Sequence, residues 1–164
     1  MSQRNQFIMA ARAEVGTIEE KENLTKYGQF TGHNGQPWCG SFVMFCASIA
    51  NLKMPSVVYT PAGVAAFQGL GQWSNPETAK PQPGDIVFFD FPGGNKTDHV
   101  GIVVRDNLDG TVLTIEGNTS PDKKTAGSQN NGGEVCTKIR AYKKDNKRNL
   151  TPFINGFGRP KFKD

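Results

Sequence analysis

No apolar run in this chain of 164 residues approaches the about 18 residues that a membrane-spanning helix needs. The opening stretch, MSQRNQFIMAARAE, is polar and broken by charge, so it does not read as a secretory signal. Cysteine is scarce, with three, and histidine scarcer, with two. No C-x-x-C or H-x-x-x-H pair occurs, so no metal and no cofactor is expected. Cys39 and Cys46 are seven residues apart. On one helix that is about 10 Å, beyond the about 7 Å a disulfide bridges. Cys136 is free to approach either one. An odd cysteine count without a signal favours reduced thiols and synthesis in the cytoplasm.

What is present suits one packed domain over residues 1–164. Hydrophobic residues make up 36%, with 11 Phe and 10 Pro, enough for a core with many turns. A chain of this length buries roughly 70% of its unfolded surface without staples. The net charge of +4 suits nucleic acid, an anionic membrane or an anionic polymer such as a bacterial wall, and charge alone does not choose among them. The aromatic-with-basic pattern of the usual RNA modules is missing, which argues against nucleic acid as a partner. A monomer without membrane attachment is expected. The basic tract 138–148 holds six Lys or Arg and one Asp, and reads as a solvated strand end and loop.

Apolar spacing predicts a helix over residues 3–15, with Phe7, Ile8, Ala11 and Val15 on one face. Residues 27–36 are rich in glycine and asparagine and read as irregular. A second helix is predicted over 39–52, where Phe42, Val43, Cys46, Ile49 and Ala50 form a stripe between Pro37 and Pro55. Thr60 and Pro61 read as an N-cap and first helical position of a short helix running to Phe67. The grammar then changes to strands at 85–91, 99–104, 111–116 and 135–142, with a fifth over 153–162. Residues 107–110 read as a tight connection and 118–133 as a long polar, mobile loop. Helices first and antiparallel strands afterwards describe an α+β domain.

A thiol becomes a nucleophile as thiolate, favoured at a helix N-terminus and beside an imidazole. Cys39 meets the first condition. For the second, His33 lies in the irregular loop, whereas His99 opens the strand HVGIVV, a rigid element on which a base can be held. Such a histidine needs a polar partner for its other nitrogen. In the following strand Glu116 and Asn118 are two residues apart and face one side. The residues thus suggest Cys39 as nucleophile, His99 as base, and Glu116 or Asn118 as orienter. Cys46 reads as a small core side chain and Cys136 as incidental.

The segments PWCGSFVMFCA, PGDIVFF, DHVGIVV and IEGN occur in the order of a CHAP domain, the cysteine- and histidine-dependent amidohydrolase and peptidase module. The chain resembles most the CHAP domains of phage endolysins. TKYGQFTGHNGQPWCGSFV and GFGRPKF extend the likeness to nearly the whole chain. The resemblance implies a papain-like fold with N-terminal helices packed on an antiparallel sheet. It implies peptidoglycan as the partner and cleavage of an amide bond, by N-acetylmuramoyl-L-alanine amidase or endopeptidase action. It assigns catalysis to Cys39, His99 and Glu116, with Asn118 as a fourth residue that polarises the site. The rival reading is a non-catalytic wall-binding module on the same fold. The related NlpC/P60 enzymes typically carry a histidine as third residue, which this sequence lacks in that place.

Two departures stand out. Some relatives bind calcium through aspartates in the loop before the cysteine, and residues 25–36 contain no acid here. Some carry glutamine immediately before the cysteine as an oxyanion donor, and here that position is Trp38. Gln36 stands further back, and the backbone N–H of Cys39 is the expected donor. Gln36, Trp38 and Trp73 are the candidate substrate-binding residues, with Tyr59 as another ring able to line a groove.

Overall fold

The computed structural model describes residues 1–93, 97–122 and 127–163. Helix α1 spans Gln3–Glu14, and its Ser2 cap accepts a bond from the Asn5 N–H at 3.2 Å. The α2 helix, Lys26–Thr31, lies inside the stretch expected to be irregular. It is six residues long, and its ends hold it: Thr25 caps the Gly28 N–H, and Gly32 leaves it at φ 76°. Apolar periodicity cannot reveal so short a helix. Helix α3 is Cys39–Ile49 and α4 is Thr60–Gly69. Thr60 is not the cap of α4. It is the first helical residue, Tyr59 precedes it, and its hydroxyl donates to the Thr97 carbonyl at 2.5 Å.

Six antiparallel strands follow: β1 Trp73–Ser74, β2 Ile86–Phe89, β3 His99–Asp106, β4 Thr111–Thr119, β5 Glu134–Ala141 and β6 Ile154–Gly158. They form one sheet in the order β1-β6-β2-β3-β4-β5. Two-residue β1 was too short to leave a period in the sequence. The architecture is the α+β, papain-like one expected. Helices α1 and α3 cover one face, where Phe7, Phe42, Val43 and Cys46 meet Phe88, Val100, Ile102 and Ile115. The other face carries Val87, Phe89, Val103, Val112 and Phe157, covered by Phe91 and Phe153. Of the polar loop 118–133, Asn118 and Thr119 belong to β4, Ser120 is buried, and residues 123–126 lie outside the described residues.

The basic tract is not uniformly solvated. Lys138 is buried, with its ammonium on the Ser120 carbonyl at 2.8 Å and paired with Asp122. Arg140 is turned inward onto Glu116. Only the later part, such as Arg148 on Asp109, pairs at the surface.

Candidate active site

Cys39 is the first residue of α3, and the Trp38 cap supplies no side-chain bond to the helix start. The first-turn N–H groups are therefore not consumed by a cap. A Cβ on Gly40 would lie 2.0 Å from the Val57 carbonyl oxygen, so only glycine lets residues 57–58 cross the helix start this closely. Ser41 ties the same turn to α2 through a 2.6 Å hydroxyl bond with Thr31. All three cysteines are buried free thiols. Burial pushes the Cys136 thiol up to about 11 and raises Cys46 further still, so both stay protonated.

His99, the first residue of β3, is fully buried, with its ring 5.4 Å from Phe89 and 5.9 Å from Phe91. Its Nε2 meets Glu116 Oε2 at 2.9 Å. A carboxylate can only accept, so Nε2 carries the proton and Nδ1 of the neutral ring is left with its lone pair. Nδ1 has no conventional hydrogen-bond partner among the described residues. Cys39 bears on the ring through its charge and bonding influence on the His99 pKa. Burial is the strongest influence and favours the neutral ring. Hydrogen bonds and charge from Cys39 and then Glu116 together outweigh it and push the pKa up to about 9. His99 pairs with Phe89 across β2, on the face turned from α3. Cys39 opens α3 and His99 opens β3, so each stands at the first position of its element.

Glu116 is buried and saturated. Oε1 accepts from the Thr114 hydroxyl at 2.6 Å and Arg140 Nε at 2.9 Å. Oε2 accepts from His99 and from Arg140 Nη2 at 2.7 Å. Burial would raise its pKa, but the Arg140 charge, that fork and the His99 bond hold it well below the usual carboxylate range. The Arg140 guanidinium lies 5.2 Å from the Phe89 ring centre and 5.3 Å from that of Phe91. Sequence reasoning missed Arg140. A signal existed: a carboxylate in an apolar strand requires a cation, and the next strand carries Lys138 and Arg140. Beside Arg140 opens a cavity of about 610 Å³, with Phe89, Phe91, Gln129 and Phe153 in its lining.

The other expected residues are placed differently. Asn118 sits at φ 55°, beside an irregularity in the β4–β5 register that breaks the alternation with Glu116. Its Oδ1 accepts from the Gly133 N–H at 3.0 Å, and its Nδ2 donates to Asn131 at 3.1 Å and Asn23 at 3.4 Å. None of these partners is Cys39, His99 or Glu116, so the side chain ties down the 131–133 segment. Trp38 is 0% exposed, stacked on Tyr27 at 5.3 Å, with its N–H on Glu19. It has no open face for a substrate, because core packing against Tyr27 took the ring. Trp73 lies on edge strand β1, packed on Phe88 and separated from β3 by two strands, so it is not brought to His99. Gln36 is exposed, three residues before Cys39, and Tyr59 is exposed beside the 57–58 segment. His33 is exposed, with Nδ1 on the Thr31 carbonyl at 2.9 Å.

Comparison with curated proteins finds no match. Among solved structures, that of Ly7917 resembles this chain with a TM-score of 0.53 at 16% identity, covering 96% of this chain and 62% of that one. The likeness is one of fold, and this chain spans less than two thirds of that protein's length. Comparison with protein families matches residues 31–118 to the CHAP domain, a span that begins just before the Cys39 helix and closes on the Glu116 strand. That span holds the buried cysteine, imidazole and carboxylate described above, and the chain belongs to the CHAP domain family, whose members are amidohydrolases and peptidases that act on peptidoglycan.

Proposed function

We propose that this chain cleaves an amide bond in the peptide of bacterial peptidoglycan, with Cys39 as nucleophile, His99 as base and acid, and Glu116 orienting the ring. The observation that carries the reading is the buried His99–Glu116 bond, which leaves Nδ1 without a hydrogen-bond partner among the described residues and so able to take up a proton. Nδ1 draws the proton from Cys39 Sγ, and the thiolate adds to the amide carbonyl. The backbone N–H of Cys39, with Gln36 exposed nearby, receives the oxyanion. The imidazolium then protonates the leaving amine, releasing it and leaving a thioester. Water, deprotonated by Nδ1, attacks the thioester, and the thiol is restored. The cavity beside Arg140 offers room for part of the wall peptide. A phage endolysin setting, with either amidase or endopeptidase action, belongs to this proposal and rests on the sequence likeness alone.

Cys39→Ser tests the assignment. The variant is expected to bind purified walls as the parent does while clearing of a wall suspension falls by at least about a thousandfold. Clearing at the parent's rate sinks the nucleophile assignment. A parent that binds walls and releases no fragments makes the chain a binding module. Mass spectrometry of the fragments identifies the bond: new N-terminal alanine for an amidase, new glycine or another stem amine for an endopeptidase.

A further inference from the structure

Glu116 receives more than an orienting residue needs. Its four bonds come from three side chains, and two belong to one guanidinium. Arg140 is itself fixed, by its fork, by the Phe89 and Phe91 rings, and by Nη1 donating to Gln129 at 3.0 Å. We propose that Arg140 is a positioning residue for the Cys39–His99 pair: it neutralises Glu116 and locks both its oxygens, so that the positive charge of the imidazolium is left for the Cys39 thiolate to balance. The proposal rests on the cysteine–histidine reading above.

The charge count carries the argument. Glu116 faces His99 on β3, Thr114 on its own strand, and Arg140 and Cys136 on β5. Asp122 lies beyond Arg140 and is paired with Lys138. Cys39 on α3 acts through His99. With Arg140 present, carboxylate and guanidinium cancel, and transfer of the thiol proton to His99 creates a pair with no net charge. Without it, the buried carboxylate satisfies the imidazolium alone, and a thiolate adds an uncompensated negative charge to a buried site. If Glu116 instead takes up a proton, the imidazolium loses its support. Either way thiolate formation moves to higher pH. A neutral polar side chain at 140 therefore disables the pair without touching it, whereas a lysine keeps the charge and loses only the fork.

Alkylation of Cys39 by iodoacetamide, followed against pH by mass spectrometry of its peptide, tests this without any wall substrate. Cys46 and Cys136, held as thiols by burial, react far more slowly. In Arg140→Gln the acid edge of Cys39 alkylation is expected to move up by about one pH unit or more, roughly tenfold in rate at a pH on that edge. In Arg140→Lys the edge stays at the parent's position, while kcat for wall cleavage falls and KM holds. Coincident edges in Arg140→Gln and the parent overturn the proposal. A parent whose Cys39 reacts at acidic pH no faster than a free thiol overturns the cysteine–histidine reading itself, and the proposal with it. Should Arg140→Gln fail to fold, carbon NMR of the parent's glutamates decides. Glu116 is expected to stay ionised through about pH 4.3, where free glutamate titrates, and a midpoint in that range overturns the proposal.

Discussion

At the scale of single residues, Glu116 and Asn118 stand two places apart and find different partners. Glu116 is absorbed by His99 and Arg140, whereas Asn118 turns at positive φ and holds the backbone of Gly133. Asn tolerates that φ, and its side-chain carbonyl accepts from the buried Gly133 N–H. Asn118→Ala is therefore expected to cost about 1–3 kcal/mol of stability in urea unfolding, with the kcat of the folded fraction near the parent's. An unchanged unfolding midpoint with kcat collapsed would return Asn118 to the chemistry. Trp38 teaches the same lesson. Its place beside the cysteine suggested a stacking platform, but the ring is wholly committed to Tyr27 and Glu19.

Among elements, the site depends on how closely strands and helix approach. A Cβ on Gly101 of β3 would stand 2.6 Å from Glu116 Cγ and 3.2 Å from the Ile115 carbonyl. Glu116 cannot swing aside, since its oxygens are held by four bonds. Gly101→Ala must therefore part β3 from β4 or push the carboxylate off His99. The expected result is a fall in kcat of about 10- to 100-fold with about 1–3 kcal/mol lost from stability. Circular dichroism should keep the parent's shape. Activity equal to the parent's would mean that the carboxylate does not need its present place. At the start of α3, Gly40 plays the matching part against residues 57–58.

For the molecule as a whole, the buried charges make stability depend on pH in two directions. The pKa of His99 is raised to about 9 in the folded chain. Its contribution is complete below about 6.5, the ordinary value, and is lost as pH rises towards about 9. The Glu116 pKa is lowered. Its contribution is present above about 4.3 and fades as pH falls below that. The two together place the highest melting temperature between about pH 5 and 6.5. Melting curves of the parent are expected to fall across the alkaline window, and those of His99→Gln to fall much less there. Identical alkaline slopes would mean that the imidazole does not gain its charge from the fold.

The chain's local chemistry determined a good deal unaided. Apolar spacing located α1, α3 and five of the six strands, because each buries a long, regular face. The scarcity of histidine reduced the choice of base to His33 or His99, and only His99 stood on a rigid element. Short elements escaped, since α2 and β1 are made by caps and by pairing with distant strands. Tertiary structure alone decided which polar groups face one another. Arg140 is 24 residues from Glu116 and reads as one of a run of solvated cations until β5 pairs with β4 and brings its fork onto the carboxylate. Burial of Trp38 and the turn at Asn118 were settled in the same way. The physical reason is common to all three: a side chain's partner is chosen by strand register and packing, and neither quantity is local in sequence.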